Sequence, residues 1–259
     1  MSRLLKFQFR KLKGQKSLYL CQAVVIGMLL MTAFTVKMMQ YLMDISRMYP
    51  QYYNLNGTGF MLMGIDGSNY VMIMGIAVAL AACSDFENHT VKTIFARGYS
   101  RTQFYMSNLT AVAAAITVSF AVTMLSSLAI GTAFFGTGSV DAGKVAGLLA
   151  TQYIAVLANT AFIYMIGSML KRTGPSIALA IVVPTVSILI LQIADLLLVM
   201  ADVKMGDVKL ADYWISSCFT NLSNLLIAPA EMITCAVLCA VYAAVFTVLA
   251  AMRCRKAEV

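Results

Sequence analysis

The sequence predicts an all-α membrane protein with six transmembrane helices, and three observations carry that expectation. Hydrophobic residues make up 61% of the 259 and charged residues only 12%, a balance far from that of a soluble domain. Several apolar runs reach the ~20 residues a helix needs to cross a bilayer. The basic residues also sort to one side. With the N-terminus in the cytoplasm, Arg3, Lys6, Arg10, Lys11, Lys13, Lys16, Lys92, Arg97, Arg101, Lys171, Arg172, Arg253, Arg255 and Lys256 lie inside, leaving Lys37, Arg47, Lys144, Lys204 and Lys209 of the 19 outside. Asp44, Asp66, Asp141, Asp202, Asp207 and Asp212 face outward with them. Six spans with both termini inside satisfy the positive-inside rule. The net charge of +8 then belongs beside anionic lipid and calls for no nucleic acid.

The elements follow in order. Residues 2–16 place Arg3, Lys6, Arg10 and Lys13 at helical spacing, with Leu5, Phe9 and Leu12 on another stripe. This predicts either an interfacial helix over 1–16, apolar face down, or a basic flank that fixes orientation. The first span covers about 17–36; its ~20 apolar residues exceed the h-region of a signal peptide, and no convincing cleavage site follows. The outer loop 37–66 carries MYPQYYNLNGTG (Met48 to Gly59), with turn formers and tyrosines suited to the headgroup level. Further spans are expected at about 67–84, 105–135, 145–170 and 175–200. In the third, Ala111, Ala115, Ser119, Thr123, Ser127 and Gly131 recur every four residues, a small-residue packing ridge whose partner lies in this chain or in a second copy. Pro175 sits at the start of the fifth span, and Pro184 inside it should bend it. The outer segment 201–230 turns apolar over Trp214 to Pro229 yet is too short to span. It reads as a re-entrant or interfacial piece closing the outer mouth, with Trp214 as an anchor. The last span covers about 231–252.

Catalytic signatures are absent from the sequence. The lone His89 has no second catalytic group nearby, and there is no H-E-x-x-H, G-x-S-x-G or G-x-x-x-x-G-K-[ST], so the chain is not expected to be an enzyme or to bind ATP by a P-loop. No C-x-x-C occurs; Cys235 and Cys239 lie one turn apart on one helix face, and neither a disulfide framework nor a metal site is indicated. The 19 methionines read chiefly as lipid-facing and packing residues. Asp195, in LILQIADLLLVM, is the most buried-looking acid, and an intramembrane charge costs about 3 kcal/mol on insertion scales, making it a candidate for the substrate path or for proton coupling. Glu231 suits the N-terminal dipole of the last span, with a gate role as the functional alternative.

Between the second and third spans lies a polar cassette, SDFENHTVKTIFARGYSRTQFYMSNL (Ser84 to Leu109), carrying Asp85, Glu87, Lys92, Arg97 and Arg101. In so apolar a chain it reads as a docking surface for a soluble partner. An acidic residue, then Thr, a basic residue, and Gly-x-Ser-Arg followed by an aromatic (Glu87, Thr90, Lys92, Gly98, Ser100, Arg101 and Phe104) resemble permeases of the type 2 ATP-binding-cassette (ABC) transporter family. The match is strongest over about 25 residues of the cassette, while span number and topology agree over 1–259, read as a single transmembrane permease domain. His89 stands where Gly is usual and Asn108 where Lys is common.

The resemblance implies that residues 85–104 form a coupling helix seated in the groove of a separate ABC ATPase. Glu87, Thr90, Lys92, Ile94, Phe95, Arg97 and Arg101 would be the docking residues. Two ATPase copies, holding ATP and Mg, and a second permease chain, identical or paralogous, would complete the transporter in the cell membrane, with no cofactor on this chain. It also implies export of a hydrophobic or amphipathic substrate such as a peptide, lantibiotic or drug. Two other classes remain: a self-sufficient secondary transporter or channel using Asp195, and a non-transporting scaffold or sensor.

Overall fold

A computed structural model describes residues 2–42, 55–65, 70–88, 90–138, 141–200, 210–223 and 227–256, and among these the chain is all-helical. The helices are α1 (Ser2–Lys13), α2 (Lys16–Leu42), α3 (Gly57–Met63), α4 (Met72–Glu87), α5 (Thr90–Ala96), α6 (Arg101–Phe135), α7 (Ala142–Leu170), α8 (Thr173–Met200), α9 (Ile215–Leu222) and α10 (Pro229–Lys256), with a 3₁₀ turn at Leu210–Tyr213 before α9. Five helices are long and apolar enough to cross a membrane: Lys16–Tyr41, Arg101–Phe135, Ala142–Leu170, Thr173–Leu198 and Pro229–Arg253. They match the expected first, third, fourth, fifth and sixth spans to within about five residues at either end. The chain is a multi-pass membrane protein by these helices.

The expected span at 67–84 is seen in part: residues 67–69 lie outside the described residues, and Tyr70 and Val71 are helical and lead directly into α4, itself a helix of 16 residues, about 24 Å at 1.5 Å per residue against a hydrocarbon core of ~30 Å. Its composition explains its place. Ala77, Ala79, Ala82 and Cys83 are fully buried, and such small side chains let α2, α6, α7 and α8 close around it. The approach is tight: a Cβ on Gly167 of α7 would stand 2.8 Å from Cβ of Ala82, and one on Gly75 would stand 2.7 Å from Cδ1 of Ile163. A helix enclosed by protein does not have to match the bilayer.

Part of the expected outer loop is helical. Positions 48–54 of Met48 to Gly59 lie outside the described residues, but the NGTG that suggested a turn starts α3 instead, because the side chain of Asn56 caps it by accepting from Gly59 N at 2.9 Å. The small-residue ridge of α6 receives this helix. Ser127 donates to Phe60 O at 3.1 Å, and a Cβ on Gly131 would meet Gly57 O at 2.8 Å. Further along, Gln22 of α2 donates to Thr123 at 2.9 Å and accepts from Ser119. The ridge therefore finds its partners within the chain.

Gln152, fully buried on α7, donates to Leu62 O at the end of α3 (3.1 Å) and to Leu222 O at the end of α9 (3.3 Å). It satisfies carbonyls that helix ends leave open. Trp214, expected as an interfacial anchor, meets Phe162 of α7 edge-on at 6.3 Å and Tyr242 of α10 at 6.0 Å. Pro184 lies within α8, which continues through it. Apolar side chains of α8 and α10 (Val182, Ile190, Leu197, Val237, Val241 and Val248) remain exposed, as lipid-facing residues would.

Candidate partner-docking site

The polar cassette folds as the end of α4, the short α5 and the capped start of α6, and α1 lies across them. Gly98, at φ +83, makes the turn after α5. Ser100 and Gln103 then form a reciprocal capping box that starts α6.

Asp85 is the hub. Its side chain is fully buried at the end of α4. Oδ1 pairs with Lys11 Nζ at 2.7 Å and accepts from Thr90 Oγ1 at 2.8 Å; Oδ2 accepts from Gln8 Nε2 and Asn108 Nδ2, each at 3.3 Å. Four donors from α1, α5 and α6 thus converge on one carboxylate. A buried charge without such partners would cost several kcal/mol, so the arrangement fixes the relative positions of these helices. The buried amide oxygens of Gln8 and Asn108 have no hydrogen-bond partner among the described residues, because both amides turn their nitrogens to Asp85. The reading of Asp85 as part of an exposed docking surface is therefore corrected.

A second contact layer is apolar. Leu4 of α1, Val91 and Ile94 of α5 and Phe104 of α6 form a small core. The Phe104 ring meets Phe95 edge-on at 5.8 Å and Phe86 at 6.2 Å. The stripe that α1 turns to the protein is consequently Leu4, Gln8 and Leu12, with Lys11 at its edge, whereas Phe9 is exposed. Of the stripe expected to lie face down in the interface, Phe9 is exposed and Leu5 half-buried, whereas Leu12 is buried against the protein.

The expected docking residues divide by these contacts. Thr90 and Ile94 hold α5 to the chain, and Phe95 is half-buried. Lys92 and Arg97 stay exposed with Thr93, while Arg101 is half-buried at the start of α6. Glu87 is exposed, but its carboxylate accepts from Thr173 N at 2.7 Å, tying α4 to the first turn of α8. Hydrogen bonds from the side chain and backbone of Thr173 hold the Glu87 carboxyl below its ordinary value. Lys171 stands 5.9 Å over the Phe86 ring. His89 lies outside the described residues.

The two acids singled out elsewhere are far from this cluster in the chain. Asp195, half-buried near the end of α8, accepts from Leu210 N at 2.8 Å and Ala211 N at 3.0 Å. Its two oxygens cap the 3₁₀ turn that leads to α9. Glu231 is exposed in the first turn of α10, as a dipole-favoured acid would be.

Lys11, Gln8 and Asn108 are the site residues that sequence reasoning passed over. Lys11 was legible only as one of many basic residues, and its pairing spans distant segments of chain. The available signal was the placement of Gln8 and Lys11 beside Leu4 and Leu12 on one helical face. Among the described residues no cluster of His, Cys, Asp and Glu suits a metal ion. With its buried acid already paired, the arrangement links α1, α4, α5 and α6 through one carboxylate.

No curated protein matches this chain. The pattern of DUF2705, a family described as proteins of unknown function, matches residues 18–259, and the chain belongs to that family.

Proposed function

We propose that this chain is the permease subunit of an ABC transporter of the type 2 family, exporting a hydrophobic or amphipathic substrate, such as a peptide, lantibiotic or drug, across the cell membrane. In this reading α4 is the second of six crossings, both termini are cytoplasmic, and α1 and α5 lie at the inner face. ATP and Mg are bound by two copies of a separate ATPase, and a second permease chain completes the translocation path. The re-entrant role belongs to the segment 210–223, closing the outer mouth.

The observation that carries the reading is the mounting of α5. A seven-residue helix between two membrane helices turns Val91 and Ile94 inward and leaves Lys92, Thr93 and Arg97 outward. Thr90 is bonded to an acid that also holds α1 and α6. A push on the outer face of α5 therefore reaches three helices at once. The departure at Asn108 fits this mounting, since Lys11 supplies the cation and Asn108 adds a neutral donor to the same carboxylate. The alternative, a self-sufficient transporter coupled through Asp195, draws less support, because both oxygens of that acid are taken by backbone N–H groups.

Affinity purification of the tagged full-length chain from its own membranes in mild detergent, with mass spectrometry of what it retains, tests the reading. An ABC ATPase at near-equal amount, lost from Lys92→Glu/Arg97→Glu, supports it. A chain that purifies alone in several gentle detergents refutes it.

A further inference from the structure

One amide on the outward surface of the membrane helices is left without a partner. Gln192 of α8 is exposed, and among the described residues no hydrogen bond engages its side chain. It lies within the apolar run rather than at its rim, because Ile193, Leu196 and Leu197 beyond it are exposed as well. The helix has 28 residues, about 42 Å at 1.5 Å each, against a hydrocarbon core of ~30 Å. Other polar side chains on outward faces are satisfied locally: Thr32, Thr35 and Thr185 each donate to the carbonyl four residues back. Gln22 on α2 and Gln152 on α7 bond inside the chain. An unpaired amide in hydrocarbon is costly, so Gln192 calls for a donor and an acceptor from outside this chain.

The stripe around it has a regular period. Ala178, Val182, Thr185, Leu189, Gln192 and Leu196 are all exposed and alternate steps of four and three residues, the heptad spacing that keeps one seam facing a second helix along its length. Leu179, Val186, Ile190 and Leu197 lie about 100° around the helix and are exposed and wholly apolar, a face for lipid. Every copy of a membrane protein is inserted in the same orientation. The two-fold axis of a dimer therefore runs along the membrane normal, facing helices are parallel, and a residue on the seam meets its own counterpart. Glutamine suits that position, since its amide carries both N–H donors and a carbonyl acceptor and can pair with itself. We infer that α8 is a homodimer seam: a second copy of this chain packs against it in parallel, and the two Gln192 side chains hydrogen-bond to each other across the two-fold axis. A slip of one turn would set the amide against Leu189 or Leu196, so the pair fixes register as well as partner. The seam stands whether or not an ATPase drives the chain; within the proposed transporter it makes the second permease chain a copy rather than a paralogue.

The experiment uses the full-length protein in its own membranes, carrying Gln192→Cys or Ile190→Cys, oxidised with copper phenanthroline and run on a non-reducing gel beside the wild-type chain. Gln192→Cys should give a reductant-sensitive dimer above the wild-type background, and Ile190→Cys, on the lipid face, should not. A second measurement follows self-association in detergent by energy transfer between labelled copies. Gln192→Leu should weaken it about tenfold, whereas Gln192→Asn, which keeps a donor and an acceptor, should stay within about threefold of wild type. No dimer from Gln192→Cys, equal dimer from Ile190→Cys, a bond only to a different protein, or unchanged self-association of Gln192→Leu overturns the inference. A dimer that cross-links through position 192 but retains no ATPase supports the seam and counts against the transporter reading alone.

Discussion

Replacing Lys11 with Met removes the charged partner of a fully buried carboxylate and leaves three neutral donors, Thr90, Gln8 and Asn108, in place. Breaking a buried ion pair from one side costs about 3–5 kcal/mol. The three surviving hydrogen bonds put the expected loss at the lower end, about 3 kcal/mol. Asp85→Asn removes the charge but keeps a polar group, and Lys11 can turn its ammonium to water, so this variant should lose less. Since the double variant has neither charge to strand, the cycle should show a coupling of about 1.5 kcal/mol or more. The loss is local and is best read by hydrogen exchange of the protein in detergent. Amides of Ser2–Lys13 and Thr90–Ala96 should open about a hundredfold more often in Lys11→Met, while those at the centre of α7 should not change. Exchange within about threefold of wild type in α5, or singles that add to the double within about 0.5 kcal/mol, would refute the account of Asp85 as the common mount.

Four further outcomes are expected. Hydrogen bonds from Thr173 hold Glu87 below its ordinary value of 4.5, so their contribution is complete above that ordinary value and is lost as pH falls through the lowered folded value. The difference in protection of the α8 start between wild type and Glu87→Gln should therefore be present at neutral pH and vanish on acidification; a difference that persists unchanged would contradict it. Gln152→Leu should remove the side-chain donor shared by the carbonyls of Leu62 and Leu222, cost about 1–3 kcal/mol, and release α3 and α9 together in hydrogen exchange rather than one alone. Gly131→Val should cost about 1–3 kcal/mol by driving α3 off α6, with a lowered melting temperature as the measure. Asp195→Asn leaves one oxygen for two backbone N–H groups and should loosen the turn at Leu210–Tyr213 while sparing the export proposed above; loss of export with an intact turn would favour the coupling acid instead.

Much of the architecture was legible because it rests on composition. Long apolar runs separated by charges identify membrane helices whatever they pack against, and a helix in the cassette was expected from the family resemblance, though as one element over 85–104 rather than the seven residues Thr90–Ala96. What was not legible rests on pairing across the chain. Whether Ile94 faces a partner or Leu4, and whether Asp85 faces water or Lys11, depends on where α1 lies, and its sequence offers two apolar stripes of similar strength. The short α3 was hidden because a seven-residue helix beginning in NGTG has the composition of a turn; its Asn56 cap and its seat against Gly131, Ser127 and Gln152 hold it as a helix. Asp195 looked the most buried acid because it sits in an apolar run, yet it is half-buried and Asp85 is the fully enclosed one; the partners of Asp195 are backbone groups, which no side-chain pattern reports.

The enclosure of α4 has a consequence for how the protein senses its lipid. Bilayer thickness acts on a helix through its lipid-facing side chains, and α4 presents few of these between Ile73 and Phe86. Thinner or thicker bilayers should therefore change the lean of α8 and α10 while leaving α4 in place as an axle. Asp85 stands at the end of that axle, so the grip on α1 and α5 is insulated from the membrane's dimensions even as the surrounding staves adjust to them. Hydrogen exchange of Met72–Glu87 that stays constant across lipids of different chain length, while α8 responds, would be the mark of such an axle.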